Sequence, residues 1–428
     1  MRQFLVAAPH SGSGKTLVTL GLLRAFRNAG VHVQSAKAGP DYIDPAFHSA
    51  ASGKPCVNLD PWAMRKERLH DIYNTFIADS ELAIVEGMMG LYDGAADGSG
   101  SAADLAVTLN LPVVLVVDAS KMSYSIAAIV RGFRDHRREL QIAGVILNRV
   151  GSSRHEQMLR TALDDLGVAV LGAVPKLGDL SVPSRHLGLV QASEHEDLEC
   201  FIAKSADTIE KFCDLETLGT LGGDLNEAPG KVDGFPPLGQ RIAVAEDVAF
   251  SFAYPHVLAD WQKAGAEVST FSPLRDEGPN ADSDAVFLPG GYPELHAHKI
   301  AGATSFFHGL VSAQEKNALI YGECGGYMVL GEGLVDADGV RHKMAGLLQL
   351  DTSFAERKLH LGYRRVRSEH FPVGNQFSAH EFHYTSVLKE VGDPLFEVWD
   401  GVGSTLGVKG LRKGNVMGSY LHIIDRIS

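Results

Sequence analysis

The chain has 428 residues, more than one ordinary core holds and enough for two domains. Hydrophobic residues make up 45% and glycine occupies 46 positions, a globular composition that excludes a disordered chain or a small stapled scaffold. With 39 basic and 52 acidic residues the net charge is −13, which excludes general attraction to nucleic acid or to an anionic membrane, so an anionic ligand must be held by local groups.

From Gln3 to about Val174, β-rich runs (QFLVAA, VHVQSAK, ELAIVEG, LPVVLVVDAS, IAGVILNRV, VAVLGAVP) alternate with helical stretches. This is the rhythm of a mostly parallel sheet covered on both faces. Val18, Leu22, Ala25, Phe26 and Ala29 lie on one face of a first helix that Gly30 closes. Between the first strand and this helix stands Ser11-Gly12-Ser13-Gly14-Lys15-Thr16. In that setting backbone N–H groups and the helix N-terminus cradle phosphate, Lys15 reaches the outer phosphoryl oxygens, and Thr16 ligates Mg²⁺. The full phosphate-loop pattern has glycine where this chain has Pro9, but a purely structural turn would not require Lys15.

Lys37, Asp41, Tyr42 and Asp44 follow the second strand, and Glu86 and Asp93 end or follow the third. Open α/β sheets bind ligands at the carboxyl ends of their strands. Four carboxylates, Asp41, Asp44, Glu86 and Asp93, are thereby expected at one rim, where they can hold Mg²⁺ or position a substrate being phosphorylated, with the metal and Lys15 offsetting their repulsion. A single acidic loop residue is as often a solvated surface group.

The segment DLETLGTLGGDLNEAPGKVDGFPPLGQ is crowded with Gly, Pro, Asp and Glu and reads as a linker. The expected division is residues 1–213, a linker at 214–239, and a second α/β domain at 240–428 that starts at RIAVAED and includes a helix from Pro255 to Ala264. There Gly322-Glu323-Cys324-Gly325-Gly326 follows an apolar strand and precedes a helix. Small neighbours permit a strained elbow that exposes the sulfur and aims a helix N-terminus at it, a placement expected to lower the thiol pKa. Cys56, Cys200 and Cys213 read as inert; the absence of any CxxC pair fits a reducing compartment and no zinc site. The turn Pro289-Gly290-Gly291 supplies an N–H that can join that of Gly325 in an oxyanion hole. His422, in a late strand, is the expected base, with His380 and His383 in competition. No stretch of about 18 apolar residues runs unbroken, so a cytoplasmic protein is expected.

The words SGSGKT, KAGPDYIDPAFH, VNLDPWAM, VEGMMGLYDG and RHLGL, with AEDVAFSFAYP, PGGYPE, GECGG and AHEFHY, resemble the cobyrinic/hydrogenobyrinic acid a,c-diamide synthase family along almost the whole chain. That resemblance implies a dethiobiotin synthetase-like ATPase domain followed by a class I glutamine amidotransferase domain. It places Thr16, Asp41 and Glu86 on Mg²⁺, and Asp44 and Asp93, with Lys37 and Tyr42, on the corrinoid side. Asn148 falls in the adenine-binding region, although a strand-end cap is an equal reading of it. Cys324 becomes the nucleophile, His422 the proton shuttle, and Gly291 and Gly325 the oxyanion donors. The family's usual glutamate two residues after the histidine is Ile424 here, leaving Asp425, Glu381 or a backbone carbonyl to orient the base.

The implied reaction is amidation of the a and c acetates of a corrin precursor with ATP and glutamine, through an acyl phosphate that ammonia displaces. The opening APHSGSGKTLVTLGLLRA and the tract LNRVGSSRHEQML favour metal-free hydrogenobyrinic acid over the cobalt form or nickel sirohydrochlorin. A homodimer is suggested by the resemblance alone. Rival readings are cobyric acid synthase, against which PDYIDP stands, and a P-loop ATPase switch with a degenerate amidotransferase module.

Overall fold

The computed structural model describes all residues except 177–183, 186–187, 190–191, 193–196, 224–231 and 428. The chain divides into two compact units, Met1–Val232 and Asp233–Ser428.

The first unit is built on seven parallel strands: β1 (Arg2–Ala7), β2 (Val33–Ala38), β3 (Val57–Leu59), β4 (Leu82–Glu86), β5 (Val113–Asp118), β6 (Ile142–Val150) and β7 (Val170–Pro175), in the order β3-β2-β4-β1-β5-β6-β7. Strands such as β5 (VVLVVD) read as apolar runs because helices bury both faces of the sheet, while β2 (VQSAKA) carries polar residues toward the site. These helices are α1 (Lys15–Asn28), α2 (Ile43–Ser52), α3 (Lys66–Ile77), α4 (Ala102–Thr108), α5 (Ile126–His136), α6 (Ser153–Asp164) and α7 (Leu198–Phe212). Gly30 lies just beyond α1 at φ 80°, a left-handed residue suited to glycine. Gly21 lets α1 and α7 approach, since a Cβ there would meet Ser205 O at 2.7 Å and overlap Ile209. The strand order reverses beside β1, so the loops after β1, β2 and β4 share one carboxyl-end rim.

Two short strands, β8 (Ser184–Arg185) and β9 (Gly188–Leu189), pair antiparallel within the RHLGL element, whose His186 and Leu187 lie outside the described residues. Within the segment read as a linker, a short helix α8 (Leu215–Leu218) buries Leu218, and Leu221 accepts the N–H of Gln3 at 2.9 Å. At its other end Phe235 is buried, donating its N–H to Asp260 at 2.7 Å. Part of each end thus belongs to a compact unit; 224–231 lie outside the described residues.

The second unit opens with parallel strands β10 (Arg241–Ala245), β11 (Glu267–Phe271), β12 (Ala285–Leu288) and β13 (Leu319–Glu323) and helices α9 (Pro255–Lys263), α10 (Ala297–Ala301), α11 (Thr304–Glu315) and α12 (Gly325–Leu330). A small sheet of β14 (Gly333–Val335), β15 (Arg341–Lys343), β16 (Gln349–Ser353) and β19 (Ser386–Val391) follows. The strands β17 (His360–Arg367), β18 (Gln376–His383), β20 (Asp393–Asp400), β21 (Thr405–Lys413), β22 (Val416–Ser419) and β23 (Leu421–Arg426) complete a ten-stranded sheet ordered β11-β10-β12-β13-β22-β21-β20-β17-β18-β23. Only Tyr420 separates β22 from β23, yet β23 is the last strand in that order. The sheet therefore curls, and Ile423 on β23 donates its N–H to Glu323 on β13 at 3.1 Å.

Candidate active sites

In the first unit the chain turns from β1 into α1 through Gly12 and Gly14 at φ 80° and 96°, where side chains are strained. A Cβ on Gly14 would also collide with Asn148 Nδ2. That amide donates to Ser13 O at 2.8 Å, and Asn148 Oδ1 accepts the Arg149 N–H at 2.9 Å. Asn148, read from sequence as an adenine contact or a strand cap, thus braces the phosphate loop from the end of β6. Ser13 Oγ donates to His10 O at 2.8 Å, while Ser11 and Gly12 are exposed. Lys15 donates to the carbonyl of Met89, just past β4. Burial depresses its pKa and Lys37 adds to that, against Glu86, Asp44 and Asp93.

Glu86 is the hub of this rim. It is fully buried at the end of β4, and its Oε1 accepts Thr16 Oγ1 at 2.8 Å and Lys37 Nζ at 3.0 Å. Its Oε2 meets His48 Nε2 at 2.6 Å. Burial works against the carboxylate, but Lys37 and His48 outweigh it and hold Glu86 well below the ordinary range. Lys37 also pairs with Asp44. Burial disfavours its charge, yet Asp44 and Glu86 raise its pKa. Lys37 and Asp44 were expected to face substrate; at 4% and 6% exposure they are buried against each other. Lys37 thus adds to the charge compensation expected of Lys15 and a metal.

Asp41 Oδ1 accepts the N–H groups of Ile43 and Asp44 at 2.7 and 3.3 Å, securing the start of α2. Burial and then Asp44 push its carboxyl up to about 6. Asp93 is exposed and accepts the Gly90 N–H at 2.9 Å, and Tyr42 is half-buried at the entry to α2. The hydroxyl of Thr16 and the carboxylates of Glu86 and Asp41 are the hard oxygen donors that Mg²⁺ takes, and two of the three already touch. Sequence reasoning missed His48. It lies fully buried in PAFH, and its Nδ1 sits 3.6 Å from Cys56 Sγ. Burial lowers its pKa, but Cys56 and Glu86 raise it to about 10. The signal was a histidine one turn after Asp44 on α2.

In the second unit Cys324 occupies φ 47°, ψ −105° between β13 and α12, a strained elbow held by β13 on one side and the glycines of α12 on the other. The Gly291 N lies 3.1 Å from the point where a Cβ on Gly325 would stand, so these two N–H groups are neighbours. A Cβ on Gly290 would stand 3.3 Å from both Cys324 Cβ and His422 Nδ1, which puts nucleophile and base around one glycine. His380 lies opposite His422 across β18 and β23. His383 bonds Glu381 at 3.2 Å and stacks on Tyr420 with centroids 4.0 Å apart.

The expected drop in the thiol pKa is not what the elbow produces. Burial pushes Cys324 up, Glu294 adds to this, and the Gly325 N–H opposes it. Burial, with His380 and His383, pushes His422 down to about 3. Both shifts favour the uncharged forms, thiol and neutral imidazole.

The candidates for the orienting group have the following partners. Glu381 is committed to Arg364 at 2.8 Å and to His383. Asp425 accepts the Arg426 N–H at 2.8 Å. The carboxylate nearest to His422 Nδ1 among the described ion pairs is that of Glu323, with Oε2 at 3.7 Å. A cavity of about 390 Å³ beside Tyr420 is lined by Lys358, Glu381, Glu390 and Lys409 among others. Among the described residues one trio of His, Cys, Asp or Glu side chains, His360, Glu381 and His383, brings its ligand atoms within 4.8 Å of one another. Their two imidazoles stack at 11°, and Arg364 already pairs with the glutamate.

Comparison with known proteins agrees with this two-part layout. Residues 4–190 match the CobQ/CobB/MinD/ParA nucleotide binding domain, and residues 241–426 match the CobB/CobQ-like glutamine amidotransferase domain. A hydrogenobyrinate a,c-diamide synthase from Sinorhizobium sp is 56% identical over 99% of both chains. One from Brucella anthropi is likewise 56% identical over 99% of both, and one from Rhodobacter capsulatus is 49% identical over 98% of both.

Proposed function

Because the chain belongs to the hydrogenobyrinate a,c-diamide synthase family, we propose that it converts hydrogenobyrinic acid to its a,c-diamide with ATP and glutamine, in cobalamin biosynthesis. The observation that carries this reading is the pairing, in one chain, of a phosphate loop set against Glu86 with a Cys324–His422 pair beside adjacent backbone N–H groups. The full-length likeness to relatives named for the metal-free substrate supports hydrogenobyrinate over the cobalt and nickel forms.

In the first unit the N–H groups of Ser11–Thr16 and the start of α1 receive the phosphates of ATP, and Lys15 neutralises the transferred phosphoryl group. Thr16, Asp41 and Glu86 would hold Mg²⁺, which would supply further charge compensation on the phosphates. Lys37 and His48 fix Glu86 in its charged form and in position. Tyr42 and Asp93 line the corrinoid side, with Lys37 and Asp44 behind them. The substrate carboxylate takes the terminal phosphoryl group, releasing ADP, and ammonia then displaces phosphate to leave the amide.

In the second unit His422 takes the Cys324 proton as the sulfur attacks the carboxamide carbon of glutamine. The Gly291 and Gly325 N–H groups receive the oxyanion. On collapse His422 returns the proton to the departing nitrogen, which leaves as ammonia, and water hydrolyses the thioester to glutamate. The cavity beside Tyr420 suits a zwitterionic amino acid, since Glu390 can meet its ammonium and Lys358 and Lys409 its carboxylate. Four free cysteines and the absence of a membrane-length apolar helix among the described residues fit a cytoplasmic enzyme, and a homodimer rests on family resemblance.

The test is purified protein with Mg²⁺-ATP, hydrogenobyrinic acid and either glutamine or ammonium, with amide formation read by mass. Cys324→Ala is expected to lose the glutamine-driven reaction and keep the ammonium-driven one. Equal loss with both nitrogen sources would overturn this division of labour.

A further inference from the structure

Glu323 ends β13 immediately before the nucleophile and is 5% exposed. Its Oε1 accepts the Tyr321 hydroxyl at 3.1 Å and the Ile423 N–H at 3.1 Å. These two bonds come from the strand that carries the carboxylate and from the strand that carries His422, so they fix Glu323 relative to both. Its other oxygen faces His422 Nδ1 at 3.7 Å. Phe235, Leu238, Tyr254, Trp261 and Phe287 wall the small cavity beside it. In such apolar surroundings a charge interaction is stronger than at the surface.

The other acidic residues do not fill this place. Glu381 is engaged by Arg364 and His383, and position 424, where the family's usual glutamate would stand, is a buried isoleucine whose carbonyl bonds His256 at 2.9 Å. We propose that Glu323 is the positioning carboxylate of the Cys324–His422 pair: it receives the Nδ1–H of His422, turns Nε2 toward the thiol, and offsets the charge on the imidazole during attack. Nucleophile and orienting acid are then adjacent residues of one strand end, and the base comes from another strand. The covalent steps are those of the glutaminase reaction above. When the thiol proton passes to Nε2 and the S–C bond forms, His422 becomes cationic and the 3.7 Å separation closes to a charged hydrogen bond. When that proton leaves with ammonia, the pair returns to its neutral form. Hydrogen bonds between catalytic groups are often long before substrate binds.

This inference rests on the glutaminase reading of Cys324, and the experiment separates the two. Full-length wild type, Glu323→Gln, Glu323→Asp and Cys324→Ala are assayed for glutaminase kcat and KM and for ammonium-driven amidation, which bypasses the thiol. Glu323→Gln is expected to lower glutaminase kcat by about 10²-fold or more, the scale of an orienting carboxylate, with KM within about twofold and ammonium-driven amidation unchanged. Glu323→Asp keeps the charge one methylene short and is expected to recover part of kcat; it also serves as the test should the glutamine variant not fold, with lowered kcat at unchanged KM. A glutaminase kcat within about threefold of wild type in Glu323→Gln, while Cys324→Ala is inactive, would overturn the positioning role alone. A parallel loss of ammonium-driven amidation would make Glu323 merely structural and overturn it too. Glutaminase activity in Cys324→Ala would overturn the underlying reading instead.

Discussion

Glycine, asparagine and a carboxylate carry the residue-scale account. Gly14 is held at φ 96° with Asn148 Nδ2 against its open side, so a methyl group there meets both strain and collision. Gly14→Ala is expected to fold, because the loop is at the rim, and to weaken ATP binding by at least about tenfold in calorimetry, a shift of about 1.4 kcal/mol. Unchanged affinity would show that the bracing by Asn148 does not shape the loop. Glu323 offers a second test, in stability. Burial pushes its carboxyl from an ordinary 4.5 up to about 8, with the Ile423 N–H and the Tyr321 hydroxyl opposing. A raised acid holds its proton more tightly folded than unfolded, so its favourable contribution is complete below 4.5 and is lost as pH rises toward 8. Glu323→Gln does not titrate. Its Tm relative to wild type is therefore expected to climb between about pH 5 and pH 8, the range over which the folded protein gains the ionised Glu323 that receives the His422 Nδ1–H, whereas parallel Tm curves would contradict the raised carboxyl.

At the scale of elements, the turns are what bring distant sequence words together. The first helix was legible because Val18, Leu22, Ala25 and Phe26 repeat on one face and Gly30 ends it; these four are buried and Gly30 is left-handed. The same holds for α9, which runs Pro255–Lys263 with Gly265 at φ 93° just beyond. What periodicity does not carry is which helices touch. Gly21 looked like any helix glycine, yet it is where α1 meets α7. Gly21→Val is expected to lower stability by about 1–3 kcal/mol through overpacking, seen as a fall in Tm, and an unchanged Tm would show that the helices part without cost. Hydrogen bonds across strands are equally silent in sequence. Glu323 was passed over because its partners Ile423 and His422 lie about a hundred positions away, joined only by the curl of the sheet. His48 was hidden for the same reason, since its contact with Glu86 spans α2 and β4. Local words such as SGSGKT and GECGG were legible because neighbours in sequence build them. The charge states at those words were not: burial, which only the fold reveals, reverses the expected shift of Cys324.

For the whole molecule the account assigns one chemistry to each compact unit, Met1–Val232 for phosphoryl transfer and amide formation and Asp233–Ser428 for ammonia release. Lys15→Ala is expected to abolish amidation with glutamine and with ammonium alike while leaving glutamine hydrolysis by Cys324 in place, because the lysine serves only the phosphates. Retained amidation in that variant would remove Lys15 from the phosphate site. The most direct measurement is a paired assay of the full chain with Mg²⁺-ATP and glutamine, offered hydrogenobyrinic acid or cobyrinic acid, with products read by mass for acid-to-amide conversions. Two conversions on the metal-free substrate and little turnover of the cobalt form are expected. Amidation of neither substrate, with ATP and glutamine both intact at the end of the reaction, would contradict it.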